Sequence, residues 1–372
     1  MRIQAIRVSE TLYKAGDRSL AADYRRLAQD TDVDVVIQAM LTLNVLKDPR
    51  VAETVASAQA ANPARGIQEV GRQILNPPAL TYGRPGNNPF SDEELAAMQR
   101  GDAIYKELCF SCHGDDGRGA PLPGAATGTI MAPAFVGNSR ITGHPDYVIK
   151  TLLHGLTGPL DGRAYAGGVM VPMGSNRDEW IASIASYVRN TFGNAAPFVS
   201  AADVARVRAV TASRTANWTF DQLVASVPAP LLADAAWKTT ASHNTQTAAQ
   251  AFNFATWSSG TAQAPGMWFQ VELPQPTPIT EIQFDSSRIG GGRGAGAPPP
   301  TSGYPREYVL DISTDGAQWT TVAKGAGTGV STAIRFSPVQ AKFVRLTQAA
   351  SVDGAPPWSM LRLRLYRPGA GS

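Results

Sequence analysis

The sequence is poor in cysteine, in histidine and in long apolar runs. Only 2 of its 372 residues are cysteine and 4 are histidine. Two cysteines are too few for a four-thiolate zinc site. No apolar run reaches the length that a membrane-spanning helix needs. The 33 Lys and Arg nearly balance the 30 Asp and Glu, so charge gives no reason to expect binding to nucleic acid or to a membrane surface.

Both cysteines lie in one short motif, CFSCH at residues 109–113. This C-x-x-C-H spacing lets Cys109 and Cys112 add to the two vinyl groups of a haem while His113 reaches the iron. A thioredoxin-like pair would need a βαβ setting, and a zinc site would need further ligands at suitable spacing. No two of the remaining three histidines have the spacing of zinc ligands; they are His144, His154 and His243. The motif therefore predicts one covalently attached haem c.

The residues around this motif predict a small all-α domain. Ser91 and Glu94 have the spacing of a capping box, and an amphipathic helix follows them. A second helix is predicted over 177–192 by its apolar period. Residues 91–213 resemble a class I cytochrome c, of the kind attached to bacterial sugar and alcohol dehydrogenases. The resemblance rests on four segments in the family's order: GxxIYxxxCxxCHG from Gly101, APAFxGN from Ala132, LHGLTGP from Leu153 and SYVRNTFGN from Ser186.

The resemblance implies two axial ligands to the haem iron, and His113 is the first. The family's second ligand is a methionine in a loop before the last helix, where this chain has MVPM at 170–173. The spacing to that helix favours Met170, with Met173 as the alternative. A thioether ligand favours Fe(II) and so raises the reduction potential. Three further side chains are outside candidates: Met131, His144 and His154.

Two more residues have candidate roles at the haem. The carbonyl of Pro133 resembles the group that accepts the Nδ1 proton of the haem histidine, a bond that fixes the orientation of the ring. Arg140 is expected to pair with a haem propionate, since a guanidinium suits carboxylate geometry. A solvated surface arginine is the alternative interpretation of Arg140.

Residues 1–78 predict a helical repeat. The segment IQA at 3–5 recurs at 37–39, a shift of 34 residues, and IQE follows at 67–69 after a further 30. Such a period is typical of stacked helical hairpins, and the stretch 30–39 resembles the start of a HEAT-repeat helix. The repeat starts without a polar capping unit and no signal peptide is visible, so we expect a truncated or partner-bound product. A linker over 79–90 is predicted next.

Beyond a second predicted linker at 214–229, short alternating runs separated by turns predict a β-sandwich. Residues 230–368 resemble a discoidin-type domain, the coagulation-factor type-C family with a galactose-binding-like jelly roll. Matching segments include PGMWFxVxL from Pro265, SxDGxxW from Ser313 and FVRL from Phe343. The family binds sugars, lipids or proteins, so the fold leaves the ligand open. Asn253 replaces an acidic residue of the pattern, which weakens the case for a structural calcium ion. Four tryptophans are expected in the core: Trp257, Trp268, Trp319 and Trp358.

Together these features predict a multidomain protein: an all-α helical repeat, an all-α class I cytochrome c and an all-β discoidin-like jelly-roll sandwich. We expect an electron-transfer cytochrome with one covalent haem, periplasmic or extracellular, that is a subunit or fragment of a sugar or alcohol dehydrogenase system. Its partners would be a dehydrogenase donor and a downstream cytochrome or oxidase, with a saccharide or a protein on the sandwich. The alternatives are a carbohydrate- or partner-binding protein with an accessory haem, and a haem peroxidase-like enzyme. Besides the haem motif, the sequence shows no catalytic constellation.

Overall fold

The computed structural model describes residues 1–75, 90–253, 255–289, 301–329 and 331–370. The chain divides into two units, Met1–Leu80 and Thr81–Ser372. Nearly all of the predicted linker 79–90 lies outside the described residues. Within the described residues, no helix combines the length and the apolar character needed to cross a membrane.

The first unit has five helices among its described residues. They are α1 (Arg2–Lys14), α2 (Ala21–Leu27), α3 (Val33–Val45), α4 (Val51–Ala61) and α5 (Arg65–Leu75). Asp32 starts α3, where its carboxylate accepts a hydrogen bond from the backbone N–H of Asp34. The three recurring isoleucines share one role, because Ile67 is buried in the core and Ile3 and Ile37 pack against it. The predicted helical class is confirmed, and the HEAT-type assignment stays a prediction.

The second unit begins with helices that surround the C-x-x-C-H motif. They are α6 (Asp92–Ile104), a π-helix (Tyr105–Cys109), α7 (Phe110–His113), α8 (Ser139–Thr142), α9 (Pro145–His154), α10 (Asp178–Asn190), α11 (Ala201–Val210) and α12 (Phe220–Ser226). The predicted capping box of α6 is present. The Glu94 N–H donates to Ser91 Oγ at 3.2 Å, and the Ser91 N–H donates to Glu94 Oε2 at 2.7 Å.

Helices α6 and α10 cross closely at Gly101. A Cβ at this position would lie 2.4 Å from the carbonyl oxygen of Ser183 and 2.6 Å from Cβ of Tyr187. Glycine is therefore the residue that permits this crossing. The apolar faces of the two helices meet in a buried core that includes Met98, Ile104, Ile181, Ile184 and Val188.

A small sheet lies beside these helices. β1 (Leu156–Thr157) pairs antiparallel with β2 (Val169–Met170) and parallel with β3 (Trp218–Thr219). Thr219 then starts α12 through a capping box with Gln222. The segment 214–229, predicted as a linker, thus contains a strand and a helix. Both pack on the central helices, which are helices α6 to α11 around the C-x-x-C-H motif. A two-residue strand is too short to show a period in the sequence.

The remaining strands form a β-sandwich. They are β4 (Ala229–Pro230), β5 (Lys238–Ala241), β6 (Trp257–Ser258), β7 (Trp268–Asp285), β8 (Arg288–Ile289), β9 (Thr301–Ser302), β10 (Tyr308–Ser313), β11 (Thr320–Gly325), β12 (Ser331–Gln348) and β13 (Ser359–Arg367), with a 3₁₀ helix at Thr245–Phe252. The main sheet has the order β11-β10-β12-β7-β13-β4; β5 also pairs with β7, and β6 with β13. Strands β8 and β9 pair with each other.

The sandwich core contains two of the four tryptophans. The rings of Trp257 and Trp358 are buried and meet edge to face, with centroids 5.2 Å apart. The expectation of core tryptophans is wrong for Trp268 and Trp319, which are half-buried. They flank the guanidinium of Arg345, which lies 5.1 Å from the Trp268 ring and 4.1 Å from the Trp319 ring. Because side chains alternate along a strand, Trp268 faces away from the core that Phe269 fills.

The sandwich packs on the central helices through charged groups. Nε2 of His144, at the start of α9, lies 3.0 Å from Oε2 of Glu281 in β7. Arg288 Nη2 lies 2.5 Å from Glu94 Oε2. The interface is therefore polar and specific, and it lies within one unit of the chain.

Candidate functional site

A cavity of about 310 Å³ lies among the central helices. It gathers Cys109, Cys112 and His113 together with Met170 and Met173. Most of its other lining residues are apolar, among them Leu108, Ile141, Val148, Leu152, Leu156 and Val188. The structure thus brings the predicted haem-attachment residues and both candidate axial methionines into one pocket.

The two thiols are positioned by a change of helix type. The π-helix ends at Cys109, and α7 carries Cys112 and His113 on the next turn. Tyr105 ties this segment together, because its hydroxyl donates to the carbonyl oxygen of Gly114 at 2.6 Å. Both cysteines are free thiols and half-buried. Burial, together with the neighbouring Cys112, raises the pKa of the Cys109 thiol to about 11.

His113 is held in a defined orientation. Its Nδ1 lies 3.4 Å from the carbonyl oxygen of Pro133, and its ring stacks on Phe135 with centroids 4.2 Å apart and planes inclined by 17°. Burial lowers the pKa of His113 to about 4, although the bond to Pro133 opposes this shift. The imidazole is therefore neutral at neutral pH, the form that ligates iron. A proton on Nδ1 donated to Pro133 leaves the lone pair on Nε2.

The three methionines near the motif all line the cavity. Met170 lies in β2 and packs with the apolar core. Met173 is three residues on; its N–H donates to the Leu152 carbonyl oxygen at 2.7 Å. Met131 sits in another loop, where its carbonyl oxygen accepts the Gly167 N–H at 2.9 Å. The pocket therefore contains both members of the predicted Met170/Met173 pair.

Arg140 lies at the edge of the same cavity. Its guanidinium pairs with Asp161 at 2.9 Å and lies 4.7 Å from the centre of the Phe220 ring. The arginine is partly exposed, and its place at the edge of the cavity would allow an ion pair with a haem propionate. The proposed propionate contact would compete with Asp161 for the same guanidinium.

The two outside histidines do not line the cavity. His154 Nε2 lies 2.7 Å from the hydroxyl of Thr211, and His144 pairs with Glu281. Both imidazoles are engaged by protein groups away from the thiols. Ligation of the haem by two histidines therefore has no support in this geometry.

These residues fit a covalently bound haem c. Two half-buried thiols stand one helical turn apart beside a buried neutral imidazole, and thioethers share their apolar pocket. When bound, the haem supplies reversible exchange of one electron between Fe(III) and Fe(II). The protein residues attach the group, orient the proximal imidazole through Pro133 and Phe135, and shield the site from water.

Two family models match the chain. Residues 96–212 match the model described as cytochrome C oxidase, cbb3-type, subunit III, and residues 235–363 match the F5/8 type C domain. The chain carries a cytochrome c domain followed by a discoidin-type domain. A cytochrome c domain implies haem c as its cofactor. The matched ranges fall inside the predicted domains 91–213 and 230–368, whose exact ends remain predictions.

One curated relative is the fructose dehydrogenase cytochrome subunit of Gluconobacter japonicus. It is 31% identical over 159 residues, a match that covers 41% of this chain and 30% of the relative. The chain thus spans less than a third of that relative's length. The relative's activity and partners therefore enter only as support for a proposal.

Solved structures of carbohydrate-binding modules also show similarity. Chitosan-binding module 1 of a chitosanase/glucanase from Paenibacillus sp. IK-5 is 22% identical, and the match covers 34% of this chain and 92% of the module with a TM-score of 0.28. A family 32 module from Clostridium perfringens in complex with galactose is 19% identical, with 36% and 94% covered and a TM-score of 0.28. At these TM-scores nothing about the ligand of this chain follows.

Two residues of the site were not predicted from the sequence. Phe135 stacks on His113, and its signal was its place two residues after Pro133 in the APAF segment. Phe220 lines the cavity from α12, far from the haem motif. The Thr219-x-x-Gln222 capping box was a visible sign of this helix. Its contact with the cavity depends on tertiary packing, which the sequence does not display.

Proposed function

We propose that this protein is an electron-transfer cytochrome with one covalent haem c. In this proposal Cys109 and Cys112 attach the haem, and His113 and Met170 are its axial ligands, with Met173 as the alternative to Met170. The observation that carries the proposal is the single apolar cavity shared by the thiols, the oriented imidazole and the thioethers. The presence of only 2 cysteines supports a single haem.

We further propose that the cytochrome is a subunit or fragment of an extracytoplasmic sugar or alcohol dehydrogenase system. The similarity to the fructose dehydrogenase cytochrome subunit supports this assignment. Electrons would pass singly from a dehydrogenase through the haem to a downstream cytochrome or oxidase. The localisation would be periplasmic or extracellular, since covalent haem attachment in bacteria takes place outside the cytoplasm.

The discoidin-type domain would bind a saccharide or a partner protein. The match to the F5/8 type C model supports a binding module of this class. Its packing on the cytochrome domain would keep the haem close to whatever the module binds. A glycan array probed with the complete haem-loaded chain tests this part. Absence of binding to every saccharide would leave protein docking as the role of the module.

The electron-transfer function is tested by making the protein with a c-type haem maturation system. The pyridine haemochrome spectrum should give one haem c per chain, and replacing Cys109 and Cys112 together by Ala should abolish covalent attachment. A redox titration should follow a single one-electron curve and should reverse without hysteresis. A high-spin ferric spectrum with rapid peroxide turnover would instead favour the peroxidase-like alternative.

A further inference from the structure

The segment after the cytochrome match reaches the loop of the candidate axial ligand. The match ends at residue 212, yet β3 and α12 follow and pack on the cytochrome domain. In the small sheet, Leu156 pairs with Met170 on one side and with Trp218 on the other. Only one strand therefore separates Met170 from this added segment.

Asn217 contacts the ligand loop itself. Its Nδ2 donates a long hydrogen bond of 3.4 Å to the carbonyl oxygen of Met170. Gly155 fits tightly beside both groups: its φ is +73°, and a Cβ would lie 2.3 Å from Asn217 Nδ2 and 2.5 Å from the Met170 oxygen. The Trp218 N–H adds a bond of 3.1 Å to the Gly155 carbonyl oxygen. The backbone of Met170 is thus fixed from the side of the added segment.

Trp218 packs in the same apolar cluster as Met170. It is only 8% exposed, and this cluster also includes Leu156, Leu160 and Tyr147, which line the haem cavity. The Arg214 guanidinium lies 3.5 Å from the centre of the Trp218 ring, and its Nη2 donates to the Asn217 carbonyl oxygen at 2.9 Å. Arg214 therefore holds both residues in place.

The helix that follows is anchored to the cavity wall. Lys150 in α9 donates to the carbonyl oxygen of Ser226 at 2.7 Å, near the end of α12. At the other end of α12, Phe220 lines the cavity. The segment is thus attached at two points to elements that surround the haem site.

We propose that residues 214–227 form a brace on the axial-ligand loop, in which Asn217 and Trp218 are positioning residues for Met170. The inference rests on the proposed role of Met170 as the axial ligand. If Met170 ligates the iron of a bound haem, movement of its loop would weaken that ligation and let an external ligand compete for the iron. Contacts that restrain the Met170 backbone should therefore weaken binding of external ligands.

Imidazole binding to the ferric, haem-loaded full chain tests this brace. Asn217→Ala removes the hydrogen bond, and Asn217→Leu removes it while keeping the number and branching of the side-chain heavy atoms. Both should raise the imidazole affinity about threefold, the effect expected from loss of one weak neutral hydrogen bond. The matched control is Val210→Ala, an exposed site at the end of α11 that is 69% accessible and lies outside residues 214–227. It should leave the imidazole affinity unchanged.

The outcomes separate the brace from the ligand assignment. Imidazole affinities of both Asn217 variants equal to wild type would overturn the brace, even if Met170 is the ligand. The weak far-red band of methionine-ligated ferric haem, recorded for Met170→Ala and Met173→Ala, checks the assignment independently. If the band disappears only in Met173→Ala, the assignment fails and the reason for a brace on Met170 fails with it. Melting curves of the Asn217 variants distinguish altered ligand binding from general unfolding.

Discussion

Nε2 of His144 donates a hydrogen bond to Oε2 of Glu281 across 3.0 Å, and both side chains are almost fully buried. The proton lies on Nε2 because Nδ1 accepts the backbone N–H of Asp146 at 3.2 Å, as the cap of α9. The same helix supplies Tyr147 and Thr151 to the haem cavity. One buried contact therefore connects a strand of the discoidin-type domain to a wall of the haem site.

Loss of the Glu281 carboxylate should destabilise the second unit strongly. Glu281→Leu leaves His144 without its acceptor and removes a partner of Arg335, which lies 3.3 Å away. A buried donor left without its acceptor typically costs about 1–3 kcal/mol. Denaturant unfolding followed by tryptophan fluorescence measures the change. Lys238→Ala, which breaks an exposed pair with Glu272, is the control and should change the free energy of unfolding by less than about 1 kcal/mol. Equal effects of both variants would contradict the argument.

The same interface should weaken in acid. Burial favours the neutral forms of the Asp146 and Glu281 carboxyls, but the hydrogen bond and charge of Arg206 outweigh it and lower the pKa of Asp146 below 3.8. His144 and Arg335 likewise lower the pKa of Glu281 below its ordinary value of 4.5. A lowered pKa in the folded state gives stability that is present above the unfolded value and is lost as the pH falls through the folded one.

The contribution of these two carboxylates to the melting temperature should therefore be complete above about pH 4.5, the ordinary Glu value, and should be lost below it. Asp146→Asn removes one of the two groups, so its melting temperature should start lower at neutral pH and fall less steeply in acid. The measurement is a series of thermal melts on wild type and variant. A variant with the wild-type acid slope would show that Asp146 does not contribute.

At the helix crossing, helix propensity and packing predict opposite signs for the change in the free energy of unfolding on Gly101→Ala. Alanine favours a helix over glycine by about 0.5–1 kcal/mol, so Gly101→Ala would stabilise an isolated helix. In the folded chain the added methyl must displace the Ser183 backbone or the Tyr187 side chain. We expect a net loss of about 1–3 kcal/mol, as for other overpacked cores. Gln99→Ala on the exposed face of α6 is the control, and stabilisation by Gly101→Ala would contradict the close crossing.

Local signals predicted much of this fold correctly. The Ser91–Glu94 capping box lies where the sequence places it, and the strands of the β-sandwich follow residue 229 as the alternating runs indicate. The sequence predicted only short strands separated by turns, because proline usually marks a strand end, whereas β7 and β12 are each 18 residues long. In the structure, β12 continues past Pro338, and its pairing with β7 is interrupted around that residue and again between Ala341 and Phe343. The continuation depends on neighbouring strands, which local composition does not report.

The residues of the candidate site that lie in contiguous sequence motifs were predictable. The contacts between residues far apart in the sequence were not. Cys109, Cys112 and His113 form one contiguous motif, and the sequence also indicated the MVPM loop. The contact of Asn217 with Met170 joins residues 47 apart, and no periodicity signals it. The partnership of His144 with Glu281 spans 137 residues and two domains. Such contacts are visible only once the domains are packed together.

Arg140 should raise the reduction potential if it serves a propionate. A positive charge beside the haem favours the Fe(II) state. At this partly exposed position, solvent makes the effect smaller than it would be in a dry protein core. Arg140→Ala should then lower the midpoint potential by tens of millivolts, whereas an arginine neutralised by Asp161 alone would give no shift. Arg118→Ala, at an exposed arginine outside the cavity lining, is the control. Potentiometric titration of the three proteins decides between the two partners.

In the proposed site, one haem c is ligated by His113 and Met170. The most direct measurement is the far-red absorption spectrum of the ferric protein, because a methionine–iron bond produces a weak band there. We predict that the band is present in wild type and in Met173→Ala and absent in Met170→Ala. A band that survives in Met170→Ala and disappears in Met173→Ala, or a high-spin spectrum of the unmodified protein, would contradict ligation by Met170.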